Sequence, residues 1–334
     1  MAIAAAIAFT GRKKILVFTN AYHGGTLSFP SSLSATNVNL PHDFVLAPYN
    51  DIEGTRSIIS GLPRECLAAI IVEPVQGSGG CIVGQENFLQ YLDATAHGLG
   101  ALFIVDEVMT SRLSYHGLSS ELGLKPDLVT LGKWVGGGMT FGAFGGRKDG
   151  PMNMFDPRGG ILKHAGTFNN NVITMAAGCA GIDIYTADEI LRLNALGETL
   201  KEGIERVLSK YQIRPPSTVC PSNMKNELES LSTGTQTDYS ARDISVESLS
   251  LDEDKDGAAN MWVTGKGSML SIHFTQESEN SFLGLLWHHM LDHGIYMAQR
   301  GFMALNLEMD ENHVEKFLAA IDTFVGKYQQ ALSS

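Results

Sequence analysis

The sequence is short of the features that would take it to a nucleic acid, a membrane or a disulfide scaffold. Its 24 Lys and Arg stand against 36 Asp and Glu, a formal charge of −12. That deficit of cations argues against nucleic acid or an anionic bilayer surface as a partner. No apolar run approaches the ~18 residues needed to span a bilayer. The four cysteines, Cys66, Cys81, Cys179 and Cys220, lie far apart, with no CxxC and no Cys/His metal spacing. Free thiols, no metal and a cytoplasmic, reducing setting are therefore expected. Nucleotide-loop signatures are missing too. The Gly cluster at Gly77, Gly79 and Gly80 has neither the Lys-Ser/Thr of a P-loop nor GxGxxG spacing. Met1 to Phe9 (MAIAAAIAF) is apolar like a signal peptide, but its basic residues, Arg12, Lys13 and Lys14, follow the apolar stretch instead of preceding it. It reads as an Ala-rich helix ending near Gly11.

What is present is enough apolar residue, 44% of 334, for one large and one smaller domain. Strand candidates at Lys14–Thr19, Phe44–Ala47, Cys66–Val72, Leu102–Val105 and Leu128–Leu131 alternate with helical patterns at Ile52–Ser60 and Glu86–Gly98. Short apolar runs bounded by loop signals, separated by amphipathic helices, predict an α/β fold with a mostly parallel sheet and crossover helices. Phe141–Gly146 adds a glycine-rich strand. Helices are predicted near Ile173–Tyr185, Glu189–Tyr211, Phe282–His293 and Glu311–Tyr328. The expected division is 1–186 as the large domain and 187–334 as a smaller C-terminal α+β domain. Within the latter, Ser217 to Asn260 carries nine acids against three bases and few strong apolar residues. It is expected to be a disordered surface insertion.

The chain is organised around Ala101 to Gly138. The Leu102–Val105 run ends on Asp106 and Glu107, and the Leu128–Leu131 run ends on Gly132 and Lys133. In open parallel sheets the C-terminal strand ends face the ligand crevice, so adjacent strands would set a carboxylate and an amine at one rim. Pyridoxal phosphate chemistry requires such a pair: a lysine for the Schiff base and an aspartate for the ring nitrogen. An ordinary surface lysine and N-capping aspartate fit the spacing as well. Tyr22 and His23 follow the Lys14–Thr19 strand, where an aromatic either stacks on a flat ring or covers the strand end. Glu73 follows Cys66–Val72. Thr167 lies ahead of the helix near Ile173, as an anion ligand or as a helix cap.

Taken together, the motifs AYHG (Ala21 to Gly24), APYND (Ala47 to Asp51), EPVQGSGG (Glu73 to Gly80), DEVMT (Asp106 to Thr110), PDLVTLGKWVGGG (Pro126 to Gly138), GAFGGR (Gly142 to Arg147) and HAGTFNNN (His164 to Asn171) resemble the class III aminotransferases of pyridoxal-phosphate fold type I. The likeness is to their glutamate-1-semialdehyde 2,1-aminomutase-like members, and TGKGSM (Thr264 to Met269) and GIYMAQRGF (Gly294 to Phe302) extend it. The resemblance implies a pyridoxal 5′-phosphate-dependent transfer of an amino group between an amino acid or amine and a carbonyl acceptor, in a homodimer with the active site at the interface. By motif, Lys133 would carry the Schiff base and shuttle the proton, and Asp106 would meet the ring nitrogen. Tyr22 and Val108 would cover the two ring faces, His23 and Glu73 would line the site, and Thr167 would reach the neighbouring subunit's phosphate. Family members also hold the phosphate with an upstream Ser-Gly-(Thr/Ser)-Glu-Ala-type loop, and Met1 falls inside the helix that follows it. The chain is thus expected to be N-terminally truncated relative to the family. The alternative function is a non-catalytic remnant that binds the coenzyme weakly or pairs with a full-length homologue.

Overall fold

The computed structural model describes residues 1–30, 38–213, 215, 260–275 and 279–333. Helix α1 (Ala2–Thr10) stops at Gly11, which is left-handed at φ 68° and donates its N–H to the Ile7 carbonyl, a stop that a side chain would strain. Strand β1 (Lys14–Phe18) leads to a two-residue ribbon, β2 (Ala21–Tyr22) with β3 (Ser28–Phe29), and then to β4 (Asp43–Ala47). Helix α2 (Ile52–Ser60) begins where the Asp51 side chain accepts the Gly54 N–H. Next come β5 (Leu67–Val72), a second ribbon of β6 (Val75–Gln76) and β7 (Ile82–Val83), and α3 (Glu86–Gly98). Strand β8 (Leu102–Asp106), helix α4 (Leu118–Glu121), β9 (Leu128–Gly132) and β10 (Gly142–Gly146) complete the first part.

Six of these strands form one sheet in the order β10-β9-β8-β5-β1-β4. All neighbours run parallel except β10, which returns antiparallel to β9. Strand β5 (LAAIIV) is buried at every position, as a strand covered on both faces must be. The register pairs Val72 with Val105 and Asp106 with Thr130, so the chemistry-bearing residues that follow these strands emerge along one edge.

The chain continues through α5 (Val172–Ile184) and α6 (Ala187–Lys210). A second, antiparallel sheet follows, β11 (Met261–Lys266), β12 (Met269–Phe274) and β13 (Phe302–Ala304), flanked by α7 (Glu279–Asp292) and α8 (Glu311–Ser333). These elements share a separate core that includes Leu193, Ile204, Ile272, Leu286 and Phe324. Helix α8 runs past the expected Tyr328 because Leu332 still packs into that core. Helix α6 starts two residues before the expected Glu189, where Thr186 accepts the Glu189 N–H. The ribbons β2–β3 and β6–β7 went unforeseen, since two residues carry no periodicity. The acidic stretch expected to be disordered lies, apart from Asn260, outside the described residues.

Helix α6 crosses the turn between β11 and β12 at Gly197, where a Cβ would fall on the Gly267 carbonyl oxygen. In an open helix, Gly→Ala gains about 1 kcal/mol. Here Gly197→Ala should instead destabilise by about 1–3 kcal/mol, because a backbone carbonyl cannot step aside as a side chain can. Gly203→Ala, whose nearest contacts are the Leu318 side chain, should lose less. Urea midpoints of both variants check the order.

Candidate active site

The C-terminal ends of β1, β5, β8 and β9 deliver Tyr22 and His23, Glu73, Asp106 and Lys133 to one rim. Asp106 is the last residue of β8, and its side chain is 7% exposed. Its Oδ2 lies 2.7 Å from His23 Nδ1. Its Oδ1 accepts the Thr130 hydroxyl at 2.9 Å and the Val108 N–H at 3.1 Å. Burial alone would raise the carboxyl's pKa. The His23 hydrogen bond and charge, with the Val108 and Thr130 donors, outweigh burial and hold Asp106 below the usual carboxylate range. Burial pulls His23 the other way, and the hydrogen bond and charge of Asp106, with the charge of Glu73, overcome it and raise the imidazole. Both shifts favour the charged forms, imidazolium and carboxylate, of this buried pair. His23 arrives from beyond β2, two strands over, so the pair spans the end of β5. His23 Nε2 is buried without a hydrogen-bond partner among the described residues.

Glu73 sits at that spanned strand end. Its Oε2 accepts the Tyr22 N–H at 2.9 Å and its Oε1 accepts the Gly77 N–H at 3.1 Å. Burial is the main cause that pushes its pKa up, to about 7, and the Asp106 charge adds to it; His23 and the two N–H groups oppose. One carboxyl thus clamps the Tyr22 loop to the glycine-rich loop, poised between charge states near neutrality.

Lys133 follows β9 directly and opens a 3-10 turn, Lys133–Gly136, with its own backbone left-handed at φ 51°. For a residue with a Cβ this costs about 1–2 kcal/mol, which the packing of the turn must offset. Its amine makes no hydrogen bond or ion pair among the described residues. The Val108 side chain lies against Gly132, beside the start of the turn. The Tyr22 ring is 41% exposed at the rim and stacks on no other described ring. The structure thus gathers Tyr22, His23, Glu73, Asp106, Val108 and Lys133. Thr167 stands apart, exposed in the loop before α5. It does not cap that helix: the Asn171 side chain does, accepting the Thr174 N–H at 3.1 Å.

Two residues of this neighbourhood were not picked out from sequence. Thr130, which fixes Asp106, is a polar residue inside an apolar run, and that exception was the available signal. Glu107 points away from the rim and is buried. It accepts the N–H groups of Leu118 and Ser119 and the hydroxyls of Thr110 and Ser119, which holds the loop after β8.

A family model described as aminotransferase class-III matches residues 1–232. The chain belongs to that family. It is 40% identical to a β-phenylalanine transaminase from Variovorax paradoxus over 98% of this chain and 66% of that protein. To a glutamate-1-semialdehyde 2,1-aminomutase from Clostridium kluyveri it is 31% identical, over 97% of this chain and 72% of that one. It thus spans roughly two thirds of the length of the curated relatives it matches. Among solved structures it superposes on the Variovorax paradoxus β-phenylalanine aminotransferase with a TM-score of 0.81 at 38% identity, covering 99% of this chain and 68% of the other. For an ω-transaminase from Sphaerobacter thermophilus the TM-score is 0.76 at 30% identity, with 98% and 71% covered. The fold is that of the pyridoxal-phosphate fold type I neighbours, and the family is pyridoxal-phosphate-dependent.

The rim fits that coenzyme on chemical grounds. An ionised carboxylate offers about four lone-pair sites. Val108, Thr130 and His23 occupy three, which leaves one on Oδ2 for a protonated ring nitrogen. Lys133, whose amine has no described partner, follows the neighbouring strand β9.

The clamp at Glu73 has a measurable consequence. Between pH 4.5, its ordinary value, and about 7, the unfolded chain gives up this proton while the folded chain keeps it. Stability from this group therefore falls as pH rises through that interval. His23, being raised, adds stability that is present below pH 6.5 and is lost as pH rises through its folded pKa. Asp106, being lowered, adds stability that is present above 3.8 and is lost only at more acidic pH. Glu73→Gln should flatten the decline between pH 4.5 and 7. Parallel curves of urea midpoint against pH for the two proteins would refute the shift.

Proposed function

We propose that the chain is a pyridoxal-phosphate-dependent transaminase that moves an amino group between an amino acid or amine and a carbonyl acceptor. The buried Asp106–His23 pair at the end of β8, with Lys133 following the neighbouring β9, carries this reading. When bound, the coenzyme supplies an electron sink for the electron pair left as a proton departs the substrate carbon. Lys133 Nζ would hold the coenzyme's aldehyde carbon covalently and, once displaced by the amino donor, carry the proton between the substrate carbon and that aldehyde carbon. Asp106 Oδ2 would accept the ring N–H, and His23 keeps that carboxylate ionised and oriented. Tyr22 and Val108 would pack against the ring faces. Glu73, which fixes the Tyr22 backbone, would lie beside the substrate. Transamination is favoured over a 1,2-amino shift because the β-phenylalanine transaminase match, 40% identical, extends over 98% of this chain, whereas the aminomutases match at 31% over 97% or at 38% over only 65%.

The proposed working form is a homodimer. Helix α5 buries only Thr174 and Gly178, and it exposes Val172, Ile173, Ile182 and Ile184, with Phe168 just before it. Exposed apolar side chains on more than one side of a helix, with Phe168 beside them, suit burial against a partner. A second copy seated there would bring Thr167 towards its neighbour. The proposed division places the sheet and rim in residues 1–186 and the second core in 187–334.

Borohydride reduction of the chain with pyridoxal phosphate, then digestion and mass spectrometry, should find the pyridoxyl adduct on the Lys133 peptide. An adduct at Lys163 instead would remove the assignment. Asp106→Ala should keep the adduct yet lower turnover about a hundredfold or more, the scale on which one fixed electrostatic partner acts. Near-normal turnover in that variant would show that Asp106 is not the ring partner.

A further inference from the structure

The turn that carries Lys133 packs its Val135–Gly137 backbone closely on α5, against Ala177, Gly178 and Gly181, and is tied on its other side by one side chain. Trp134 leaves the rim and packs its ring on Tyr185, centroids 4.8 Å apart, at the border of the second core. Its indole N–H donates to the Ser111 hydroxyl oxygen at 2.9 Å. Ser111 lies five residues beyond Asp106, on the segment leaving β8. That segment is itself anchored: the Arg112 Nε donates to Ser268 Oγ at 3.1 Å, another of its guanidinium N–H groups reaches the Leu305 carbonyl, and the Arg112 carbonyl accepts the Tyr185 hydroxyl at 2.8 Å. A single hydrogen bond therefore joins the segment after Asp106 to the residue after Lys133.

The strain in this turn gives the bond a purpose beyond filling a core. Lys133 is left-handed at φ 51°, and Gly137 closes the turn at φ 60°. Gly136 and Gly137 offer no side chain to hold it, and Val135 no polar group. Trp134 is the one residue of the turn after Lys133 whose side chain can be tied at a fixed point. A turn released there is held by the α5 contacts alone, which leaves Lys133 freer to return to an ordinary backbone region and to move its amine.

We propose that Trp134 and Ser111 are positioning residues for Lys133, fixing its left-handed backbone and so the placement of its amine relative to Asp106. The proposal rests on the reading of Lys133 as the coenzyme lysine. The full chain and its Trp134→Phe, Ser111→Ala and double variants are incubated with pyridoxal phosphate, reduced with borohydride and digested. The adduct at Lys133 is then quantified relative to Lys163. Each single substitution should lower that ratio about three- to tenfold, the range set by one neutral hydrogen bond. The double variant should fall no further than the worse single one, since both remove the same bond. Hydrogen exchange in the peptide over residues 132–138 should quicken in all three. A merely structural role would lower the thermal midpoint and leave the ratio untouched. If Trp134→Phe does not fold, Ser111→Ala, which removes one atom, carries the test. Wild-type ratios in the variants, or additive losses, would overturn the proposal alone. A wild-type chain with no adduct at Lys133 would overturn the functional reading and this proposal with it.

Discussion

Asp106 is buried at the end of a strand, and a buried carboxylate without a partner takes up a proton rather than keep its charge. His23 prevents this, with Thr130 and the Val108 amide completing the arrangement. Removing one partner from a buried pair leaves the other charge uncompensated, which is far more damaging than losing a surface ion pair. The rest of the rim is arranged about this contact. The bridge passes over the end of β5, so Glu73 feels both charges. The Glu73 carboxyl in turn holds the backbone of Tyr22, the neighbour of His23. Charge state and loop geometry are therefore one problem at this edge of the sheet.

The sheet makes the contact possible. Parallel pairing sends β1, β5, β8 and β9 to the same edge, and the register of Asp106 opposite Thr130 puts a hydroxyl where the carboxylate needs one. The second core reaches back to this edge through different residues. Thr264 and His273 both bond the Gly80 carbonyl in the glycine-rich loop, while Arg112 and Tyr185 grip the segment after β8. The loops that carry the chemistry are thus fastened at both ends, the first sheet setting their origin and the second core their far side.

Much of this was legible in the sequence. The runs Leu102–Val105 and Leu128–Leu131 break off at Asp106 and at Gly132-Lys133, and buried parallel strands do end that way. The ordered motifs from AYHG to HAGTFNNN carried the family. The His23–Asp106 bond was not legible as a contact: 83 residues separate the two, and their meeting depends on the strand order β8-β5-β1, which local patterns do not encode. The left-handed backbone of Lys133 was hidden for a related reason. Lysine has no preference for that region, and it is set by tertiary contacts of the turn, with α5 and through Trp134. Thr167 suited two roles by position, and only the side-chain geometry of Asn171 removed the capping one.

On the proposed reading, the unused lone pair on Asp106 Oδ2 would make the rim a filter. A flat heteroaromatic ring that presents an N–H can complete the carboxylate's coordination. A ring of the same outline with carbon at that position, or with nitrogen kept bare by an electron-withdrawing substituent, would bury an anion with one side unmet, the latter adding lone-pair repulsion. On that reading, selectivity for the right heterocycle would be set by basicity, read by one oxygen atom whose other neighbours are already chosen.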